Sequence, residues 1–208
     1  MIKFENTEIC GIGHAIRGMR NAMNSWDKSD SYIDERYNMF HIGENGKTLM
    51  QRLFNARTDH RKYLKMITLY ADITAPLYWW KEFDTYIVGA VANSCSTMHE
   101  LTSKRLTLDD FSIDNNEQGY YVDILCDLNA WIDNYKKTKN IKYFRMLVGL
   151  LPSSFNQKRT IMLNYEVLTN FYKSGQWCRL DEWHKFIEWI EWLPYNELIR
   201  GEKHNEIE

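Results

Sequence analysis

Apolar residues recur at helical spacing along much of the chain. The clearest stripe lies in the segment 120–137, where six apolar or aromatic positions share one helical face: Tyr121, Leu125, Leu128, Trp131, Ile132 and Tyr135. Spacings of three and four residues place such side chains on one side of an α-helix. The same pattern predicts further helices over 11–26, 48–56, 77–94, 142–151, 160–174 and 179–193.

Two segments alternate instead with the period of a strand. In the stretch from Lys65 to Ile73, every second residue from position 67 onward is apolar, which predicts a strand with one buried face. Residues 2–9 resemble an edge strand, whereas the segments 27–47 and 108–119 are polar and read as loops. Strands combined with long helices predict an α+β fold with a mixed or antiparallel sheet.

Composition and charge limit the class of protein. The 208 residues carry 26 basic and 28 acidic side chains, so the net charge of −2 favours neither nucleic acid nor an anionic membrane as a partner. No run of about 18 apolar residues occurs, and the N-terminal stretch lacks the apolar core of a signal peptide. We expect a cytoplasmic protein with a single domain over residues 1–195 and a flexible acidic tail over 196–208.

Neither a metal site nor a phosphate loop is predicted. The four cysteines contain no CxxC pair, and no two of the six histidines stand four residues apart on a predicted helix. The sequence "GENGKT" at 43–48 has two residues between its glycines where a phosphate loop needs four, so it reads as a polar turn before a helix. The pair in "GIGH" at 11–14 is equally short of a dinucleotide fingerprint.

The most compact polar segment is "VANSCSTMHEL" at 91–101. Cys95 and His99 stand one helical turn apart and could pair as nucleophile and base, but no orienting carboxylate is evident, and we expect packing roles for both. Asn93 and Ser96 are good helix-capping types, and they are equally suited to hold an anionic or nucleotide ligand. Composition leaves both interpretations open.

The order of segments resembles that of the flavin-dependent thymidylate synthase family. That family carries the signature R-H-R, seven residues, then Ser, with an Asn three residues before the Ser. Placing its Ser on Ser96 puts its Asn on Asn93. Later in the chain, the family's Leu-Pro and its two spaced asparagines match Leu151-Pro152, Asn164 and Asn170.

The resemblance implies an α+β fold, FAD as cofactor without a metal, dUMP as substrate, and a homotetramer whose sites are shared between subunits. It also implies that Asn164 and Asn170 face the flavin and that the loop with Asn93 and Ser96 lies by the nucleotide. The catalytic residue is not identified by this resemblance.

The family's cations are absent at the matching positions. The R-H-R signature falls on Tyr86-Ile87-Val88, the acid and the arginine flanking the Ser fall on Ser94 and Met98, and two later arginines fall on Val148 and Gly175. Phosphates need fixed donors, and bidentate arginine contacts are the strong ones. The cations that could compensate are Arg145, Lys173 and Arg179.

Three functions follow as expectations. The first is a nucleotide- or flavin-binding protein with a remodelled site, in which methylation of dUMP is doubtful. The second is a non-catalytic interaction or sequestering module of a virus-type or phage-like protein, suggested by the aromatic excess near the C-terminus and the missing cations. The third is a genuine FAD-dependent thymidylate synthase, a methyltransferase.

Overall fold

A computed structural model describes residues 2–36, 39–86, 88–175 and 177–201. Its strands are β1 (Lys3–Cys10), β2 (Tyr32–Asp34), β3 (Met39–His41), β4 (Thr68–Pro76), β5 (Val91–Ser94) and β6 (Asn156–Asn164). Its α-helices are α1 (Ile12–Met19), α2 (Glu44–Asn55), α3 (Leu77–Phe83), α4 (Thr97–Glu100), α5 (Gln118–Thr138), α6 (Ile141–Gly149), α7 (Tyr165–Gly175), α8 (Asp181–Glu191) and α9 (Glu197–Arg200). The fold is α+β, as the sequence predicts.

Four strands form one sheet in the order β1-β4-β6-β5, so β1 is an edge strand as predicted. The apolar face predicted for the segment ending at Ile73 is confirmed, because Ile67, Leu69, Ala71 and Ile73 are all buried. The strand itself begins later than predicted, at Thr68, since Thr58–Met66 forms a 3₁₀ segment.

The described residues fall into two compact units, each made of separate chain segments. The first contains the described residues of Met1–Glu5, Asp72–Thr85 and Ala92–Ile161, and the second those of Asn6–Ala71, Tyr86–Val91 and Met162–Glu208. A single domain over 1–195 therefore stays a prediction.

In the first unit, helix α5 supplies much of the apolar core. Leu128 and Ile132 are fully buried, and Tyr121, Leu125 and Trp131 pack against the same cluster, so the stripe read from the sequence is confirmed. The other buried members of this cluster are Leu101, Leu106, Phe111, Leu147 and Phe155.

In the second unit, aromatic rings from α7 and α8 pack together. Phe171 lies 5.8 Å from Trp183 and 5.3 Å from Phe186 between ring centroids, and all three are buried. Edge-on and tilted ring pairs of this kind add to the stability that area burial gives. Part of the tryptophan excess is therefore core.

The helix predicted over 160–174 is wrong in its first third. Residues up to Asn164 belong to strand β6, where Ile161 and Leu163 are buried with the period of two typical of a sheet. The helix begins at Tyr165 because the Asn164 side-chain oxygen accepts a hydrogen bond from the Val167 N–H at 3.0 Å, which caps α7.

The long helix predicted over 77–94 is also wrong. Helix α3 ends at Phe83, Gly89 has a φ of 91°, and β5 follows. A positive φ is incompatible with a continuing helix, and glycine adopts it at little steric cost. The predicted stripe position Ile87 lies outside the described residues.

The segment 27–47, read as a loop, contains the antiparallel pair β2–β3, in which Ile33 faces Phe40. Its strands have only three residues each, too few for alternation to stand out. The first helix is also shorter than predicted. It ends at Met19, and Met23, expected on its apolar face, is 79% exposed.

Part of the C-terminal segment expected to be flexible, Glu197–Arg200, forms helix α9. Leu198 and Ile199 of α9 are buried. Residues 202–208 of the expected tail lie outside the described residues. Across the described ranges, no helix has the length and apolarity required to cross a membrane.

Candidate functional site

The loop with Asn93 and Ser96 is exposed on the first unit. Asn93 lies on β5, and Ser96 is the N-cap residue of the four-residue helix α4, although its side chain makes no capping hydrogen bond. Cys95 is exposed rather than packed in a core, so its predicted packing role is wrong, and His99 is exposed as well. Both predicted ligand-binding side chains are thus open to solvent.

A buried glutamine side chain is hydrogen-bonded to the residues on both sides of Ser96. Gln157 of β6 donates from Nε2 to the Cys95 carbonyl oxygen at 3.0 Å and to the Thr97 hydroxyl at 2.9 Å. The Cys95 N–H in turn donates to the Lys158 carbonyl oxygen at 3.0 Å. These bonds fix the backbone on both sides of Ser96.

An arginine completes the support. Arg159 donates from Nε to Gln157 Oε1 at 3.0 Å and from Nη1 to an oxygen of Asp84 at 2.8 Å. Its guanidinium lies 4.2 Å from the centroid of the Trp80 ring. Gln157 and Arg159 were missed by the sequence reasoning because their partners stand far away in the chain.

The two predicted flavin-facing asparagines lie in the second unit. Asn164 caps α7, and Asn170 is exposed on the same helix, about 9 Å further along its axis at 1.5 Å per residue. A Cβ placed on Gly89 would lie 3.8 Å from Asn164 Nδ2. The segment in which the family's R-H-R signature falls therefore approaches the start of α7.

The residues at that signature form an apolar element. The Tyr86 ring packs at 5.3 Å from that of Phe171, and Val88 is 91% exposed. Val88 has no side-chain donor, and Tyr86 offers one neutral hydroxyl where an arginine would offer a charged, forked guanidinium. Ile87 is outside the described residues.

Lys173 is the predicted compensating cation that the structure places beside a second one. Its ammonium lies 5.7 Å from the centroid of the Phe54 ring, and the Arg61 guanidinium lies 4.2 Å from the same ring. Arg61 donates from Nε to the Phe54 carbonyl oxygen at 2.8 Å. Partial burial, followed by the charge of Arg61, lowers the pKa of Lys173.

Asn170 is a neighbour of Lys173 by its position on the helix. It stands three residues before Lys173 on α7, and helical residues at that spacing are surface neighbours. Within the described part of the chain, neither Lys173 nor Arg61 forms an ion pair. We call Arg61, Asn170 and Lys173 the α7 cationic cluster. Arg61 was missed by the sequence reasoning, although the basic run "HRKYLK" could have drawn attention to it.

The other two proposed cations do not lie in a cluster of this kind. Arg145 on α6 and Arg179, which precedes α8, are both exposed, and among the described residues neither has a hydrogen-bonded partner. Arg145 lies in the first unit and Arg179 in the second.

The glycine of "GIGH" precedes a helix as predicted, but "GENGKT" is not a turn before one, because α2 already begins at Glu44. The Asp30 carboxylate accepts hydrogen bonds from the N–H groups of Asn45 (2.8 Å) and Gly46 (3.2 Å), in the first turn of α2. Those amides are therefore occupied by a side chain. Gly11 precedes α1 with a φ of 88°, and a Cβ there would lie 2.2 Å from the Met66 carbonyl oxygen.

Among residues 2–36, 39–86, 88–175 and 177–201, no group of three or more His, Cys, Asp or Glu side chains could hold a metal ion.

No protein-family model matches the chain, and no curated protein matches it in sequence. Solved structures do match. The crystal structure of flavin-dependent thymidylate synthase ThyX from Helicobacter pylori, complexed with FAD and dUMP, is 16% identical with a TM-score of 0.71, over 94% of this chain and 96% of that chain. A second structure of the Helicobacter pylori enzyme with FAD and dUMP is 16% identical with a TM-score of 0.73, over 97% and 100%.

A more distant likeness is the UMP/dUMP methylase PolB from Streptomyces cacaoi bound with 5-Br dUMP. It is 11% identical with a TM-score of 0.51, over 83% of this chain and 77% of that chain. At these identities the likeness bears on the fold. The chain has the fold of the flavin-dependent thymidylate synthases.

Proposed function

We propose that this protein binds FAD or a nucleotide in a remodelled flavin-dependent thymidylate synthase fold, with the α7 cationic cluster holding a phosphate. The observation that carries the proposal is the position of Arg61 and Lys173 on the same Phe54 ring without an ion-paired acid. The similar folds of known structure bind FAD, dUMP and a dUMP analogue.

Electrostatics support an anionic ligand at this cluster. Two cations near one ring repel each other. Burial is the larger cause that lowers the pKa of Lys173, and the repulsion by Arg61 lowers it further. A phosphate between the two cations would offset this repulsion and accept hydrogen bonds from both. The Asn170 amide, one turn from Lys173, would add a neutral donor.

These residues fit the phosphate portion of FAD or of a nucleotide. A bound flavin would supply redox chemistry to the site. The chain's own residues would anchor phosphate through Arg61 and Lys173, with Asn164 at the start of the same helix. In the first unit, Asn93 and Ser96 offer an amide and hydroxyls on an exposed loop that is fixed by Gln157.

We do not expect the protein to methylate dUMP. The family's signature cations are replaced by Tyr86 and its neighbours, and each charge-assisted hydrogen bond lost costs about 1.5–3 kcal/mol of binding. We expect the gene to fail to restore growth of a thymidine-requiring host. Rescue of growth would instead establish a genuine FAD-dependent thymidylate synthase.

Ligand binding is tested with the purified full-length chain. We expect a flavin absorbance band in the protein as isolated, or a saturable rise in melting temperature with FAD or dUMP, because a ligand that binds the folded state stabilises it. A colourless protein whose melting temperature is unmoved by either compound refutes the proposal.

A matched pair of variants locates the site. Lys173→Gln removes a cation 5.7 Å from an aromatic ring in the cluster, and Lys139→Gln removes one at the same 5.7 Å from the Tyr135 ring elsewhere. The first should weaken binding and the second should leave it unchanged. Equal effects would place the ligand outside the cluster.

A separate part of the proposal concerns assembly and is supported by two exposed tryptophans. Trp177 is 86% exposed and Trp192 is 87% exposed. Large exposed apolar side chains are typical of protein interfaces. We propose that they pack between copies of this chain in a homotetramer. Sedimentation should show a tetramer that Trp192→Ser weakens, and a clean monomer for the unaltered chain would contradict this assembly.

A further inference from the structure

A cavity of about 540 Å³ in the first unit is lined by strands of the sheet and by the segment 108–118. The strands contribute Lys3, Thr74, Asn156 and Lys158. The volume is in the range of small-molecule sites. The α7 cationic cluster consists of residues of the second unit, so this cavity is a separate site.

The strand residues in this lining are accessible to a ligand. Thr74 lies between two fully buried residues of β4, and Asn156 and Lys158 lie on either side of the buried Gln157. Neighbouring residues of a strand point to opposite faces of a sheet. Thr74, Asn156 and Lys158 therefore stand on the face away from the core, where all three are partly exposed, and Lys3 is exposed as well.

The two parts of the lining carry opposite charge. The strands supply the ammonium groups of Lys3 and Lys158, whereas the rest of the lining supplies the carboxylates of Glu100, Asp109 and Asp110. Charges arranged in this way attract a ligand whose own charges are complementary. The cavity therefore suits a small molecule that carries both an anionic and a cationic group.

Some of this charge is already paired within the protein. The Lys158 ammonium lies 3.0 Å from a carboxylate oxygen of Glu5 and 3.5 Å from one of Asp72. The Lys104 ammonium lies 2.6 Å from a carboxylate oxygen of Asp110. Lys158 and Asp110 are thus engaged by other side chains.

The remaining charged groups of the lining are available to a ligand. Among the residues that the structure describes, Lys3, Glu100 and Asp109 form no ion pair, and all three are exposed. A ligand would meet one available cation and two available carboxylates. A free basic amino acid has the matching set, with one carboxylate and two cationic groups.

Asn156 adds a neutral donor in a fixed orientation. Its Oδ1 accepts a hydrogen bond from the hydroxyl of the buried Ser112 at 2.7 Å, and its Nδ2 can then donate to a ligand oxygen. Thr74 adds a hydroxyl on β4, the strand between β1 and β6 in the sheet. Both groups suit the carboxylate end of an amino acid.

We propose that this cavity binds a free basic amino acid. Lys3 and Asn156 bind its carboxylate, and Asp109 and Glu100 bind its two cationic groups.

The test is a titration of the full-length chain with L-arginine and L-lysine at constant ionic strength, followed by calorimetry. Each amino acid is compared with two analogues. L-citrulline and L-norleucine lack the side-chain charge, and agmatine and cadaverine lack the carboxylate. At least one basic amino acid should bind saturably and about tenfold or more tightly than either of its own analogues. No saturable binding of either amino acid, or an analogue that binds as tightly as its parent, would overturn the proposal.

Variants of exposed residues tie the binding to the cavity. Lys3→Gln should lower the affinity for the amino acid about tenfold and leave that for the decarboxylated analogue unchanged, because only the former has a carboxylate to lose. Asp109→Asn should weaken both severalfold. Lys137→Gln and Asp127→Asn, at exposed positions of α5 outside the lining, are the matched controls and should bind normally. Unchanged affinity in Lys3→Gln or Asp109→Asn, or equal losses in their controls, would overturn the proposal.

Discussion

Replacing Gln157 by leucine should loosen the loop that contains Ser96. The variant loses two hydrogen bonds from Nε2, to the Cys95 carbonyl oxygen and the Thr97 hydroxyl, and the acceptor of the Arg159 Nε–H. A neutral hydrogen bond contributes about 1 kcal/mol and one to a charged group about 1.5–3 kcal/mol. Arg159 keeps its hydrogen bond to Asp84, but Gln157 is buried, so we expect most of these three contributions to be lost, about 3–5 kcal/mol in the free energy of unfolding.

Urea unfolding followed by circular dichroism measures that loss, and hydrogen exchange of the Cys95 amide reports on the loop itself. Gln118→Leu is the matched control. Gln118 is exposed and makes one hydrogen bond, to Asn115 at 3.2 Å, so its replacement should change stability by less than about 0.5 kcal/mol. If both variants lose the same stability and exchange at Cys95 is unaltered, Gln157 does not support the loop.

Three other measurements test the backbone and the charges. Gly11→Ala should cost about 2 kcal/mol or more in urea unfolding, because its Cβ meets a carbonyl oxygen at 2.2 Å and its φ is 88°, whereas Gly119→Ala in open space should be neutral or stabilising. Asn164→Ala should cost about 1 kcal/mol by the same method, since it removes a helix cap, and Asn164→Asp should cost less. Burial and then the charge of Arg61 hold the pKa of Lys173 below its ordinary 10.5. The unfolded chain therefore holds more protons between the two pKa values, and stability rises with pH across that window. The rise should disappear in the melting temperatures of Lys173→Gln.

The sequence predicts best the helices and strands in which apolar residues follow a single regular spacing. Helix α5 has a stripe long enough to define a face, and β4 alternates over four buried positions. The boundary between β6 and α7 was not predictable in the same way. The apolar residues before Asn164 fit either the spacing of a helix or the alternation of a strand. The strand forms because it pairs with strands that are distant in sequence.

In the candidate site, too, some residues can be identified from the sequence and others cannot. Matching the family order identifies Asn164 and Asn170, and the missing arginines draw attention to Lys173 as a compensating cation. The structure places Asn164 at the end of β6 and the other two residues on α7. Neither step identifies Arg61, which shares the Phe54 ring with Lys173. The side chains that support a loop leave no mark in the spacing of residues along the sequence. Gln157 contacts residues about sixty positions away in the chain.

The most direct test is an equilibrium titration of the purified chain with FAD and, separately, with dUMP. We expect saturable binding of at least one of the two compounds, weakened about tenfold by Lys173→Gln, the equivalent of about 1.4 kcal/mol, and unchanged by Lys139→Gln. Absence of binding of both compounds, or equal affinity in both variants, would contradict a ligand phosphate at Arg61 and Lys173.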